Sequence, residues 1–206
     1  YYLYCHRDIG LCYEACDDDV AGMSDADWAV QHSTTGWLFQ YALAAVSWGS
    51  KKQASVALSS CESEIMALSE ASKEAVYLSR FINELNLRAE APLKLSVDNR
   101  SARDLAYNPE HHEKTKHIER RHFFVRELVE NETITVPFVP TEDNLADFFT
   151  KALPAARFYR LRNLIMNSCR TGSVTGHSCL MRSASSHGGV SHGARSDRAA
   201  DVTPWS

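Results

Sequence analysis

Between Ser59 and Leu87 the chain carries a pattern that a long helix satisfies. Ser59 followed by Glu62 has the spacing of a capping box, which places the helix start there. Downstream, Leu68, Ala71, Ala75, Leu78, Ile82 and Leu85 recur in steps of three and four, which gathers them into one apolar stripe. Glu64 heads that stripe, whereas Glu70, Lys73, Glu74 and Arg80 fall off it. An ionised carboxylate on a core-facing stripe is costly unless it is paired or holds a metal. A helix end open to water explains Glu64 equally well at this point.

The remaining bounds come from length and charge. At 206 residues and 44% hydrophobic, the chain suits one globular domain with some excess. A net charge of −4 supplies no global basic field, so a nucleic-acid partner needs a local patch. The six cysteines form no CxxC pair, and no signal-peptide pattern opens the chain, which points to free thiols in an intracellular, reducing compartment. No apolar run approaches the roughly 20 residues of a membrane span. The chain opens without Met, as a fragment or a processed piece does.

Taken in order, Ile9–Tyr13 reads as a strand, and Asp17 to Asp19 as an acidic loop. Trp37–Tyr41 and Val46–Trp48 read as two strands of a hairpin. After the long helix, Leu93–Val97 alternates and ends in Asp98-Asn99, ahead of a helix at Ser101–Ala106. An Asp at the carboxyl end of a strand is a usual ligand position in open α/β sheets, and an Asx turn signal would look the same. The stretch 110–130 is dense in charge, with an amphipathic helix at its far end. His112, His117 and His122 lack the spacing and partners of a zinc set, so a solvated or phosphate-facing surface is the better reading. Thr133–Val139 reads as a strand. Thr141 to Asn144 caps a final helix carrying Leu145, Phe148, Phe149, Ala152 and Leu153. Asp147 lies early in it, near the positive end of the dipole, and a plain surface ion pair with Lys151 at i+4 explains it on its own. Residues 151–170 hold Lys151, Arg157, Arg160, Arg162 and Arg170 and no acid, a cationic strip suited to phosphates. Beyond residue 167 the composition turns rich in Ser and Gly, and 168–206 reads as a disordered tail.

Four isolated carboxylates thus arrive in turn: Asp25, Glu64, Asp98 and Asp147. Together they suggest oxygen ligands for hard divalent ions. Two Mg²⁺ ions roughly 4 Å apart would suit an in-line phosphodiester attack. Clustered carboxylates repel one another, so without metal their pKa values should rise.

Longer motifs name a family. Ser24-Asp25-Ala26-Asp27-Trp28-Ala29, Ser33-Thr34-Thr35-Gly36, Val46 to Gln53, Ala57 to Leu68, Thr115-Lys116-His117-Ile118 and Leu145-Ala146-Asp147 resemble the RNase H domain of copia-type retrotransposon polyproteins. The stretch from Tyr2 to Leu11 is similar to the tail of the reverse transcriptase portion. The resemblance covers residues 1 to about 167. It implies an RNase H-like α/β fold, a five-stranded mixed sheet whose first three strands are antiparallel, with helices on both faces. It divides the chain into a reverse transcriptase tail at 1–20, an RNase H-like domain at 21–167 and the tail at 168–206. It implies two-metal hydrolysis of the RNA strand of an RNA–DNA hybrid, with Mg²⁺ or Mn²⁺, beside the reverse transcriptase of the same polyprotein. Asp25, Glu64, Asp98 and Asp147 match the family's catalytic and metal-binding carboxylates, with Asp27 a supporting residue. Placement assigns Asn99 to sensing the RNA strand, and Lys116, His117, Lys151 and Arg157 to holding phosphates. A catalytically inactive, nucleic-acid-binding remnant of the same fold is the alternative.

Three departures bear on activity. The segment between Trp28 and Ser33 is shorter than the family's, which shortens the first hairpin and bears on the placement of Asp25. The hairpin turn at Ala42-Leu43-Ala44-Ala45 lacks the glycines a tight turn wants. Pro140–Asp143 lacks the histidine that cellular RNases H carry before the last aspartate. These departures suggest a decaying copy of the element.

Overall fold

The computed structural model describes residues 1–16, 19–87, 92–108 and 116–168. The expected tail beyond residue 168 lies outside them.

A short helix, α1 (Tyr2–Cys5), comes first. Three strands then form an antiparallel meander: β1 (Ala21–Asp27), β2 (Thr34–Tyr41) and β3 (Ala44–Lys52). Helix α2 (Ser60–Glu84) crosses over to β4 (Leu93–Ser96), which lies parallel to β1. Helices α3 (Arg100–Tyr107) and α4 (Lys116–Glu130) lead to β5 (Ile134–Thr135), parallel to β4. The order β3-β2-β1-β4-β5 is a five-stranded mixed sheet, and α5 (Ala155–Met166) follows it.

Each face of the sheet has its own core. Phe39, Leu95, Val97 and Ile134 pack with the α2 stripe, with Ala106 of α3 and with Val125 of α4. On the opposite face Leu38 and Ala45 pack with Leu145, Leu161 and Ile165, of which the last two belong to α5. Ser59 caps α2 by accepting from the Glu62 amide at 3.1 Å, as the spacing requires. The reciprocal arm differs: Glu62 reaches past Ser59 and accepts from the Leu58 amide at 2.7 Å. The stripe buries Glu64, Leu68, Ala71, Ala75, Leu78 and Ile82, while Leu85 falls in the C-cap and is exposed. The first turns of α2 are buried all round, from Glu62 to Ser69, because the helix runs under the centre of the sheet.

Several elements differ from the sequence expectation. Ile9–Tyr13 is not a strand. Its polar groups make single bonds instead, from the Cys12 amide to the Met166 carbonyl and from Tyr13 Oη to the Ala45 carbonyl. It therefore lies between α5 and the β2–β3 turn with no ladder to join. The expected strand 133–139 pairs fully only at Ile134–Thr135, with an isolated bridge between Val97 and Phe138. Pro137 has no amide to donate, which interrupts the ladder between them. The expected final helix is replaced by two 3-10 turns, Thr141–Asp143 and Leu145–Phe149. Asn144 sets that path: its Nδ2 donates to the Ser24 carbonyl of β1, and its Oδ1 accepts from the Ala146 amide. Pro154 then serves as N-cap of α5.

The β2–β3 hairpin closes with Ala42 at φ 52° and Leu43 at φ 67°. Both positions of this two-residue turn sit in the left-handed region, where L-residues with a Cβ are disfavoured by about 1–2 kcal/mol each. Replacing the pair by Asn-Gly, which suits such a turn, should stabilise the fold by about 1 kcal/mol, since a glycine in place of Leu43 enlarges the unfolded ensemble and offsets part of the gain. A higher urea midpoint with an unchanged m-value is the expected result.

Candidate active site

Asp25 sits on β1, opposite Gly36 of β2, and is 2% exposed. Asp98 follows Val97 at the carboxyl end of β4, the strand that pairs with β1. The parallel pairing sends both strands toward the same end of the sheet. Asp147 lies in the second 3-10 turn and is fully buried. Oxygens of Asp25, Asp98 and Asp147 fall within 4.8 Å of one another. The short loop after Trp28 leaves Asp25 in place, because Ala26 and Asp27 stay paired with Thr35 and Thr34. Ser33 closes that loop by accepting from the Ala29 amide.

Glu64 comes from the second turn of α2 and is also buried. It accepts from the Ala26 amide and feels the charges of Asp25 and Asp98, yet it stands outside the three-oxygen cluster. Its Oε2 is buried without a hydrogen-bond partner.

Crowding buried acids raises their pKa values. Burial above all lifts Asp25 to about 7; the Thr150 hydroxyl opposes this, Asp147 adds to it, and Lys151 opposes it. Burial, then Asp25 and Asp98, lift Glu64 to about 9, while the Ala26 amide and Lys151 pull it back. Burial works against the Lys151 charge, but Asp147, Asp25 and Asp98 outweigh it and raise its pKa.

Two cations meet this cluster from the segment after Asp147. Lys151 Nζ lies 2.7 Å from Asp147 Oδ1 and 3.8 Å from Asp25 Oδ2. Arg157 pairs with Asp147 Oδ2 and donates to the Thr141 carbonyl at 2.6 Å. Both residues, assigned to phosphates by placement in the sequence, are thus engaged with a carboxylate. Asn99 spends its Oδ1 on capping α3, accepting from the Ala102 amide at 3.0 Å. Lys116 and His117 open α4, and their side chains lie outside the described residues, as do His111 and His112. His122 bonds the Leu105 carbonyl rather than joining a zinc set.

Two contributors were missed in the sequence. Thr150 donates its hydroxyl to Asp25 Oδ2. Gln53 ties the β3 end to α2, donating to Thr35 Oγ1 at 3.0 Å and to the Ser63 carbonyl at 2.9 Å. Beside it a crevice is lined by Lys51, Lys52 and Arg121. Thr150 carries no signal in spacing or type, and Gln53 ends the Val46–Gln53 motif without the motif saying what it bonds; only the fold shows both roles. The donor set is all oxygen, its three members are close enough to share a cation, and an orphaned carboxylate oxygen stands beside them. These residues fit a hard divalent ion.

No protein-family model matches the chain. It is 38% identical over 159 residues to the retrovirus-related Pol polyprotein from transposon TNT 1-94 of Nicotiana tabacum, covering 75% of this chain and 12% of the relative. It is 35% identical over 146 residues to the Pol polyprotein from transposon RE1 of Arabidopsis thaliana, covering 69% of this chain and 10% of the relative. Among solved structures, the N-terminal RNase H domain of rv2228c from Mycobacterium tuberculosis, a fusion with maltose binding protein, aligns with a TM-score of 0.50 at 12% identity. That alignment covers 70% of this chain and 96% of the solved one, and it shows the fold. The chain's homologues are thus retrovirus-related Pol polyproteins of plant transposons, of whose length it spans about a tenth, and its fold is RNase H-like.

Proposed function

We propose that the chain is the RNase H of a copia-type retrotransposon, hydrolysing the RNA strand of an RNA–DNA hybrid during reverse transcription. The observation that carries this reading is the cluster of Asp25, Asp98 and Asp147 oxygens on an RNase H fold. Asp25, Asp98 and Asp147 would hold two Mg²⁺ ions, or Mn²⁺ in their place, with Glu64 as the fourth carboxylate. When bound, such ions lower the pKa of an attacking water and offset charge on the leaving oxygen. The chain's own part is to hold Asp25, Asp98 and Asp147 within reach of one another with Glu64 beside them, in a site where a bound cation would favour their ionised forms. Lys151, released from part of its pairing by a stronger positive charge, would turn toward the scissile phosphate. Lys51, Lys52 and Arg121 would hold phosphates further along the hybrid. The RNA strand is distinguished by its 2′-hydroxyls, and Asn99 Nδ2 remains to read one. The partner in the cell would be the reverse transcriptase portion of the same polyprotein, in an intracellular compartment. No described helix is long and apolar enough to cross a membrane.

A second reading is a catalytically inactive remnant that binds nucleic acid. The pairing of Asp147 with both Lys151 and Arg157 favours it, because two cations already neutralise that ligand.

Cleavage of a labelled RNA–DNA hybrid separates the two. Mg²⁺-dependent cutting of the RNA strand, abolished by EDTA and reduced more than about 100-fold in Asp98→Asn, is expected for the nuclease. Hybrid binding with no cutting above that control leaves the remnant reading.

A pH experiment probes the carboxylates apart from catalysis. Asp25 and Glu64 keep their protons to higher pH in the folded, ion-free chain than in the unfolded one. Their contribution to stability is complete below the unfolded carboxyl range and is lost as pH rises through about 7 for Asp25 and about 9 for Glu64. In EDTA the thermal midpoint of Glu64→Gln should therefore gain on the wild type steadily between about pH 5 and pH 9. Added Mg²⁺ should stabilise the wild type most at the alkaline end, where its ligands ionise. A constant gap between the two proteins across that range would contradict the raised Glu64 pKa.

A further inference from the structure

We propose that Thr150 is a positioning residue for the ion-binding carboxylates, fixing Asp25 in the orientation in which it meets Asp98 and Asp147. The proposal rests on the two-ion reading above. Thr150 closes the 3-10 turn that carries Asp147, and it is 7% exposed. Its hydroxyl has one proton to give. The Asp147 carbonyl stands 3.3 Å away, and Asp25 Oδ2 is much nearer, so the proton goes to Asp25. Lys151 also faces Asp25 Oδ2, but at 3.8 Å it acts as a charge rather than a directed bond.

The methyl group makes the direction of that hydroxyl unique. Gly36 is the residue paired with Asp25 across β1 and β2. A Cβ built on Gly36 would lie 2.6 Å from Thr150 Cγ2, 3.0 Å from the Ala146 carbonyl oxygen and 3.1 Å from Phe149 Cβ. The missing side chain at 36 is thus the seat of the Thr150 methyl. A β-branched residue with its methyl so placed has one χ1 well left, and that well aims the hydroxyl at Asp25. One residue therefore links the two 3-10 and strand ligands: its backbone ends the Asp147 turn, and its hydroxyl holds Asp25. Serine keeps the donor without the methyl; valine keeps the shape without the donor.

The test is Mn²⁺ binding by calorimetry on the 206-residue chain without nucleic acid, with wild type, Thr150→Val and Thr150→Ser compared after thermal unfolding has shown each to be folded. Groups that orient a metal ligand are worth about 10–100-fold in affinity. Thr150→Val should weaken Mn²⁺ binding by that factor, and Thr150→Ser should stay near the wild type. In hybrid cleavage, Thr150→Val should raise the Mg²⁺ concentration for half-maximal rate and leave KM for the hybrid unchanged. Valine binding Mn²⁺ as the wild type does would overturn the proposal. Serine failing as badly as valine would assign the role to packing and overturn it equally. A wild type that takes up no Mn²⁺ defeats the two-ion reading itself, a result distinct from either.

Discussion

Bringing several carboxylates into one buried spot is the constraint to which this fold answers. Each carboxylate loses hydration on burial, and each raises the free energy of ionising its neighbours. Asp25 and Glu64 show the consequence as elevated pKa values. The compensation is local. Lys151 and Arg157 stand against Asp147, Thr150 donates to Asp25, and the Ala26 amide donates to Glu64. Glu64 Oε2 is left with no hydrogen-bond partner. Breaking a buried ion pair from one side is strongly destabilising because the other charge remains. The segment Asp147–Arg157 is therefore a stability element, and in the proposed reading it serves function as well.

The architecture sets where those charges fall. A crossover helix makes β4 parallel to β1, so Asp25 and Asp98 travel toward one end of adjacent strands. The same helix begins on that side, and its second turn brings Glu64 beneath β1. The fourth carboxylate arrives differently. Asn144 is fully buried and bonds the Ser24 carbonyl, one residue before Asp25. A side-chain amide, not a regular helix, thus ties the last segment to the strand it serves. Those Asn144 bonds, to the Ser24 carbonyl and from the Ala146 amide, hold the segment where two tight turns replace the helix.

Legibility followed the range of the interactions. The α2 stripe and its cap depend on neighbours three and four residues apart, so they were readable in the sequence. Even so, the buried first turns of α2 were not, because burial on every side comes from the sheet and from α3, whose Ala102 and Leu105 pack on Ile65, rather than from periodicity. Ile9–Tyr13 has strand-like composition, but a strand needs a partner edge, and none runs alongside it. The motifs named the carboxylates and the i+4 spacing offered the Asp147–Lys151 pair, while only tertiary contact could show Arg157 turned inward to the same acid. Arg157 looks identical in sequence whether it faces a phosphate or an acid. Thr150 is less legible still, since its meaning depends on the absent side chain of Gly36.

The departures from the family pattern can also be weighed by position. The strained turn at Ala42-Leu43 closes the far end of the β2–β3 hairpin, away from Asp25, Asp98 and Asp147. The shortened loop lies nearer, between Trp28 and Ser33. There Trp28 Nε1 donates to the Ala57 carbonyl at 3.2 Å and the Gln53 amide to the Ser33 carbonyl at 2.9 Å, so the loop is tied down on two sides. The ladder from Asp25 to Asp27 keeps its register as a result. A one-residue slip in that ladder would have turned Asp25 to the opposite face of the sheet. The changes that read as decay in the sequence therefore load strain on the periphery of the hairpin and leave the carboxylate cluster in one place.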